Sequence, residues 1–406
     1  MPVHSGTIGT DGAAWRLYAD GTLVVDEGFI YWRTTGIGVQ AYSPWAVYRS
    51  DINRIVFTGP ITAGTSLSGL FARLVHVTHI DGLDYFDTRA VEDLSDLFVD
   101  AWELHMLDLR AWDTANVTNM TRMFFHAWGL RVVDVTGWDV RNVAFMGSMF
   151  QSVPLDYLHG IEDWQTDSLL DTSAMFSRFG HGGERAFYAL DLSNWDVSNV
   201  GSMWEMFHFA RVTHLNLAGW DTRNVQSMHH MFLRDWNPLE LRLQQFTLGE
   251  HFAFTPPFEA AAGHVFLLDP PNNANYTGRW QNVGAGTTND PQGTHVFTSL
   301  QLMQFYNGQA GLADTWVWQP TDANRPQRFL RGDVNGDGYI NLLDVLLILR
   351  MVAGHAPLPG TNLKAARVTP ASLAPGGQVS MQDAMAVLRF IEQYPVDIVG
   401  ETFTLN

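Results

Sequence analysis

A hydrophobic residue followed by Phe recurs seven times along the middle of the chain. The Phe positions are 71, 98, 124, 150, 176, 207 and 232, so the intervals are 27, 26, 26, 26, 31 and 25 residues. Repeats of this length bury their apolar faces by stacking, because one unit is too small to form a core. The pattern predicts about seven stacked coils over residues 51–245 that present a surface.

Within each coil, an alternating apolar-polar-apolar tripeptide predicts a short strand with its apolar side chains on one face. The tripeptides are Leu107-Asp108-Leu109, Val133-Asp134-Val135, Leu190-Asp191-Leu192 and Leu215-Asn216-Leu217. Farther along each coil, residues such as Val117, Met120, Met123 and Phe124 fall at helical spacing. We therefore expect a short helix behind each strand, and we interpret the Met and Trp stripes as packed core.

Each full coil also carries a Trp-Asp pair, and the Asp side chain is placed to cap the following turn. These aspartates are Asp113, Asp139, Asp196 and Asp221. A second series, Asp108, Asp134 and Asp191, recurs with the strands. Stacked like charges repel, so we expect water, a cation or a basic partner beside this series. The coil that contains Trp164 departs from the pattern, and a polar insertion at 181–185 predicts a loop that interrupts the stack.

Residues 190–200, together with Met206-Phe207, resemble the repeat of BspA-like leucine-rich-repeat surface proteins of bacteria. The resemblance covers roughly residues 50–250, and residues 1–50 resemble the β-rich cap that opens many of these proteins. It implies an α/β solenoid, leucine-rich-repeat-like, with one short strand and one short helix per coil between β-rich caps. It also implies a secreted or surface-attached adhesion module without catalytic residues.

A calcium loop is predicted near the other end of the chain. Carboxylate, amide and carbonyl oxygens recur at the spacing that Ca²⁺ requires, and Gly338 permits the sharp bend. The predicted ligands are Asp333, Asn335, Asp337, Tyr339, Asn341 and Asp344. A second copy of the loop and helix follows 39 residues later but lacks most ligand oxygens. We therefore expect one calcium ion.

The two loop-helix copies resemble a dockerin, a small calcium-dependent module that binds cohesin domains. The resemblance implies an all-α, calcium-binding, dockerin-like domain over 329–395, with partner-binding positions in both copies. Those positions are Leu342, Leu343 and Arg350 in the first copy and Met381, Gln382 and Arg389 in the second. The apolar residues among them fit either an apolar protein partner or packing against the chain's own domains.

Residues 246–328 are predicted to be a β-rich cap that closes the repeats. We expect Trp280, Trp316 and Trp318 to be buried cap residues, although exposed rings could stack on a sugar. The segment 396–406 alternates apolar and polar residues and is predicted to be a strand-like tail that could pair with an open strand edge.

Composition limits the partners. The chain has no cysteine, which excludes disulfides and thiolate zinc sites, and its net charge is −18, which argues against nucleic acid and anionic membranes. No apolar run is long enough to span a membrane, and the chain begins without a basic and apolar leader, so we expect that a signal peptide was removed or never included. We expect an extracellular or cell-surface bacterial protein.

We found no motif for catalysis and predict that the chain is not an enzyme. The first functional expectation is an adhesion or scaffold protein whose repeats bind a host, cell-surface or glycan ligand and whose calcium-binding module attaches to a cohesin-like domain. The second is a structural polymer in which that module and the tail contact another copy of the chain. A weaker third is a carbohydrate-binding component of a polysaccharide-degrading complex.

Overall fold

The computed structural model describes residues 1–34, 42–181, 187–233, 243–255, 267–309, 311–321, 332–335, 340–355, 357, 361, 365–368 and 378–393. Contacts divide the chain into two compact units. The first comprises Met1–Leu268 and Ser299–Ala313, and the second comprises Asp269–Thr298 and Asp314–Asn406. We number the seven repeats by their Phe residues, so that repeat 1 contains Phe71 and repeat 7 contains Phe232.

Short strands dominate the first unit. They are β1 His4–Thr7, β2 Ala14–Leu17, β3 Thr22–Val25, β4 Gly28–Arg33, β5 Arg54–Phe57, β6 Ile61–Ser68, β7 His79–Asp81, β8 Phe86–Asp87, β9 Met106–Asp108, β10 Val132–Asp134, β11 Tyr157–His159, β12 Phe187–Asp191, β13 Val212–Leu217 and β14 Gln245–Leu248. The unit also contains the helix α1, Ser299–Phe305, and 3-10 turns at Ala46–Tyr48, Leu83–Tyr85 and Ile161–Asp163.

The pairing of these strands is mostly parallel. One sheet has the order β1-β2-β3-β5-β7, antiparallel from β1 to β3 and parallel from β3 to β7. A second has the parallel order β4-β6-β8, and a third has the parallel order β11-β10-β9. β12, β13 and β14 also pair in parallel. The alternating tripeptides therefore form strands as predicted, with Leu107 and Leu109 buried and Asp108 exposed.

The Met-Phe segments join successive repeats through a separate column of backbone hydrogen bonds. In repeat 3 the N–H groups of alternate residues donate to carbonyl oxygens of repeat 4: Met120 to Phe145, Arg122 to Gly147, Phe124 to Met149 and His126 to Gln151. The same four-donor pattern links every successive pair from repeat 1 to repeat 7. We call this feature the donor column.

Left-handed backbone at two positions of each segment makes the donor column possible. Arg122 has φ 55° and His126 has φ 58°, and the second and fourth donors of repeats 1 to 6 all share this conformation. A left-handed residue cannot continue a right-handed α-helix. It instead turns the N–H groups out of the segment and toward the next repeat.

The core of the stack is a column of aromatic rings. Phe71, Phe98, Phe124, Phe150, Phe176, Phe207 and Phe232 stack in order, with ring centroids 5.3 to 5.7 Å apart. The repeated Trp residues are buried beside them, as predicted for core residues. The Asp side chains after them accept backbone N–H groups two residues later; for example, Asp113 Oδ1 accepts from Ala115 at 3.0 Å. The predicted turn caps are thus confirmed.

The predicted α/β solenoid with a short helix per coil is wrong. The described residues of 51–245 contain no α-helix, and the described strands fall into four sheets. Strand pairing is interrupted between β7 and β9 and again between β11 and β12. The apolar spacing misled the prediction, because three- and four-residue intervals also fit the left-handed turns of the donor column.

The second unit contains strands as well as helices. β15 Tyr276–Asn282 pairs antiparallel with both β16 Val296–Phe297 and β17 Asp314–Pro320. Its helices are α2 Leu342–Val352 and α3 Met381–Gln393, which pack around a core that includes Ile348 and Val387. The predicted all-α, dockerin-like C-terminal domain is therefore wrong as a separate unit, because β15 to β17 cluster with these helices.

Several predictions fall on residues outside this description. The interrupting loop at 181–185 is described only at His181, and none of the tail 396–406 is described. Among the described residues, each helix is too short or too polar to traverse a bilayer.

Candidate functional site

Repeats 2 and 3 separate locally along their strands. β7 of repeat 2 is the last strand of one sheet, and β9 of repeat 3 is the last strand of another. The repeats remain joined elsewhere, since Asp93 bridges Asn119 and the Trp112 indole donates to the Leu83 carbonyl at 2.9 Å. The gap is therefore confined to the strand segments.

This gap forms a groove of about 910 Å³, lined by residues 78–84 and by residues 105–111 except Leu109. Its volume lies within the range of ~300–1,000 Å³ that is usual for ligand pockets. Leu83 and Leu107 are buried among its lining residues, whereas His79, His105 and Met106 are exposed. The groove thus combines buried apolar residues with a polar, exposed border.

Charges around the groove are predominantly acidic. Asp81, Asp84 and Asp108 line it together with a single guanidinium, that of Arg110. Asp81 accepts from Arg54 Nε at 2.7 Å, outside the lining. Arg110 contacts both oxygens of Asp108, at 2.6 and 2.9 Å. That hydrogen bonding holds the pKa of Asp108 below its usual value and raises the pKa of Arg110.

A local change in the sequence of repeat 2 accompanies the gap. Gly82 has φ 84°, and a Cβ there would lie 2.7 Å from the Phe57 carbonyl oxygen of repeat 1. Repeat 5 has the same variation at Gly160, with φ 97° and the Thr136 backbone nitrogen of repeat 4 at 2.5 Å. In both repeats a 3-10 turn follows the glycine, and the strand pairs with the preceding repeat but not with the following one.

The sequence interpretation missed this groove. The available signals were the glycine directly after an apolar-polar pair in repeats 2 and 5, and the first interval of 27 residues. Glycine is needed at both positions because the backbone is left-handed and the preceding repeat lies too close for a side chain. Each glycine therefore marks the repeat after which strand pairing stops.

The predicted series of strand aspartates is partly neutralised within the chain. Arg110 lies between two of its members, bonded to Asp108 and 3.5 Å from Asp134 Oδ2. The pKa of Asp134 is lowered, and the largest cause is a hydrogen bond from Thr136. Asp191 accepts from the Asn216 side chain of the next repeat at 3.1 Å. An arginine and an amide thus occupy positions where a cation or a basic partner was expected.

The predicted calcium loop is described in part. Asp333 and Asp344 are buried, and Asn335 and Asn341 lie on the same loop, while Asp337 and Tyr339 fall outside the described residues. Carboxylate and amide oxygens are the ligands that Ca²⁺ takes. The donor types at the described positions therefore fit the ion.

Asp344 also has a structural role in this loop. Its Oδ1 accepts the N–H groups of Val334 and Asn335 at 2.6 and 3.2 Å, and its Oδ2 accepts that of Asn341 at 2.8 Å. Asp383, in the first turn of α3, accepts the backbone N–H groups of Val368 and Ser380 in the same manner. Within the described residues no group of three acidic, His or Cys side chains is placed to hold a metal. Calcium binding thus stays a prediction.

The predicted partner-binding residues lie along α2 and α3. Leu342, Leu343, Arg350, Met381 and Gln382 are exposed, and the side chain of Arg389 is outside the described set. Packing of the apolar leucines against the chain's own described residues is therefore not observed at these positions. Binding of a partner here stays a prediction.

The Trp residues of the predicted cap are mostly buried. Trp280 and Trp316 are 1% and 0% exposed, as expected for core residues, and Trp318 is intermediate. Trp316 stacks on Phe297 with a centroid separation of 5.5 Å. The first two rings therefore present no surface on which a sugar could stack.

Comparison with known proteins gives one match. Residues 65–184 and 156–251 match a family model described as "Mycoplasma protein of unknown function, DUF285". No curated protein and no solved structure matches the chain. The match covers less than half of the sequence and stops before the predicted calcium loop. It coincides with the Phe column and the groove, so the repeat region of this chain is similar to that family.

Proposed function

We propose that the chain is a non-catalytic bacterial surface or scaffold protein that binds a protein partner through the groove between repeats 2 and 3. The observation that carries the proposal is the meeting of two strand edges, β7 and β9, at a groove of about 910 Å³. Unpaired strand edges offer rows of backbone donors and acceptors to another chain. The similarity of the repeats to a Mycoplasma family and to BspA-like proteins supports a surface role.

Other charged residues of the repeats are used within the turns. Arg141 pairs with both oxygens of Asp139, and Arg223 pairs with both oxygens of Asp221. These exposed pairs fix the turns after Trp138 and Trp220. They are local contacts two residues apart in sequence, so they do not create a concave site. The groove is for this reason the better candidate.

The other functional predictions have less support. Attachment of residues 329–395 to a cohesin-like domain, and self-assembly through 396–406, stay predictions. The burial of Trp280 and Trp316 argues against glycan stacking at those two rings. We therefore place partner binding in the repeats and propose an extracellular or cell-surface location.

Binding of the full-length chain to a panel of purified extracellular-matrix and bacterial surface proteins tests the proposal. We expect at least one protein to bind, and Met106→Arg to weaken its binding by about tenfold, because Met106 is 68% exposed in the groove. Trp204→Arg is the matched control, since this exposed apolar residue of repeat 6 lies outside the groove lining. Equal losses in both variants, or no binding to any protein, would overturn the proposal.

A further inference from the structure

We infer that the groove binds an extended, basic peptide segment of a protein partner as an added β-strand between β7 and β9. This inference deepens the proposed function and rests on it. β7 pairs with β5 on one side only, and β9 pairs with β10 on one side only. Their outer edges border the same groove, so one inserted segment would meet backbone groups from both repeats.

The structure shows which backbone bonds the segment would replace. At the next junction, Arg131 and Leu109 donate N–H groups to the carbonyls of His105 and Asp134, which closes repeats 3 and 4 together. No corresponding bonds join 78–83 to 105–109, all of which are described. The donor column from Leu94 to Asp100 nevertheless stays intact beside the gap. The missing contacts are thus those of strand pairing alone.

The side-chain environment favours a segment that alternates apolar and basic residues. Successive side chains of a strand point to opposite faces. On one face, Leu83 and Leu107 offer apolar contacts at the buried part of the groove. On the other, exposed Asp84 favours lysine or arginine, whereas Asp108 is already paired with Arg110.

The charge of the groove further restricts which segment can occupy it. Of the three carboxylates in the groove lining, Asp81 pairs with Arg54 and Asp108 pairs with Arg110, and the whole chain has a net charge of −18. Asp84 forms no ion pair within the described part of the chain, so its charge is open to a partner's cation. An acidic segment would be repelled. The chain's own tail, 396–406, carries Asp397 and Glu401 and no basic residue, which disfavours it as the occupant.

Fluorescence anisotropy of a labelled heptapeptide of alternating lysine and valine, titrated with the full-length chain, tests the inference. We expect saturable binding that weakens as salt is raised, because the attraction is partly between exposed charges. The same peptide with glutamate in place of lysine should not bind. A peptide with proline in place of the central valine should also fail, because proline removes a strand hydrogen bond.

Two substitutions locate the site. Asp84→Lys should lower the affinity for the lysine-valine peptide by about tenfold, because one attraction is lost and one repulsion is gained. Asp163→Lys is the matched control, because Asp163 is an exposed aspartate of repeat 5 that lines no part of the groove. Hydrogen exchange should slow at residues 79–81 and 106–108 when the peptide is bound. Both variants should retain the thermal unfolding midpoint of the wild type.

The inference would be overturned by equal affinity in the two variants, by binding of the glutamate peptide, or by binding of a peptide of residues 396–406 in this groove. If Met106→Arg abolishes binding of a protein partner but the lysine-valine peptide neither binds the chain nor competes with that partner, the proposed function stands and this inference fails. If no protein partner is found and the peptide alone binds with all the expected controls, the groove assignment stands and the wider functional proposal fails.

Discussion

The indole N–H of Trp138 donates to the carbonyl oxygen of Leu109, 29 residues earlier, at 2.9 Å. The same contact joins Trp112 to Leu83, Trp195 to Ile161 and Trp220 to Leu192. Trp164 of repeat 5 differs, because its buried Nε1 has no hydrogen-bond partner among the described residues. A buried donor without a partner costs roughly 1–3 kcal/mol. The Trp column therefore contains one member whose polar group destabilises the fold.

We predict that Trp138→Phe and Trp164→Phe affect stability differently. Both remove ring volume from the core, but Trp138→Phe also removes the indole hydrogen bond and leaves the Leu109 carbonyl with the Trp112 backbone N–H as its donor. Trp164→Phe instead removes an unsatisfied N–H. Thermal unfolding should show Trp138→Phe to be less stable than Trp164→Phe by about 1–2 kcal/mol. A lower midpoint for Trp164→Phe would contradict the assigned hydrogen bonding.

The donor column predicts unusual responses to glycine. Ala174 is buried and left-handed, with φ 54°, a conformation that costs a non-glycine residue roughly 1–2 kcal/mol. Relief of that cost exceeds the entropy lost by glycine, so Ala174→Gly should stabilise the protein by about 0.5 kcal/mol.

Ala127→Gly is the matched control for that substitution. Ala127 is fully buried but has no left-handed backbone, so its replacement should destabilise the protein by about 1 kcal/mol. Thermal unfolding of both variants makes the comparison. If both substitutions destabilise equally, the left-handed turns are not under strain.

Acid sensitivity is predicted for the Asp87–Arg89 pair. Hydrogen bonds from the Arg89 side chain and backbone lower the pKa of Asp87 to about 2 from an ordinary value of 3.8. A lowered folded-state pKa stabilises the protein above the unfolded value, and the stabilisation disappears as pH falls from 3.8 through 2. Asp87→Asn should therefore lower the unfolding midpoint at neutral pH.

The difference between wild type and Asp87→Asn should shrink below pH 4, and this convergence is the quantity to measure. Asp11→Asn serves as the control, because exposed Asp11 forms no ion pair among the described residues. A difference that is constant from neutral pH to pH 2 would rule out the assigned pairing as its cause.

Calcium should stabilise the second unit. For a dissociation constant of ~0.1 mM, ~1 mM Ca²⁺ adds about 1.4 kcal/mol to the native state. Asp333→Asn should abolish the calcium-induced shift in the unfolding midpoint. Asp383→Asn, in the second copy, should retain it, because only one site is expected. No shift in the wild type, or equal shifts in all three proteins, would contradict the prediction.

The sequence predicted those features that depend on which residues are apolar. Phe98, Phe124 and Phe150 stack in order, and the alternating tripeptides lie in strands, where Asp108 and Asp191 are exposed and Asp134 is half-buried. The helices of the repeats were wrongly predicted, because apolar spacing does not reveal that Arg122 and His126 are left-handed. Arginine is not among the residues enriched in that conformation.

The groove could not be predicted from single positions either. It depends on the absence of pairing between β7 and β9, which is a relation between neighbouring repeats. Gly82 and Gly160 become informative only when their shared offset from the Phe column is compared with the position of the breaks. The calcium ligands were predicted from spacing alone, and in the structure Asp344 accepts backbone N–H groups.

The donor column also makes the repeat array tolerant of changes in length. Repeats 1 to 6 each present four N–H groups to the following repeat, and repeats 2 to 7 each present four carbonyl groups to the preceding one, in the same direction throughout. A complete repeat can therefore be excised or duplicated and the new neighbours will still match, whereas removal of half a repeat leaves both sets facing the wrong partners. The length of the repeat array can thus change during evolution by whole repeats, while the break in strand pairing that follows Gly82 stays next to repeat 2.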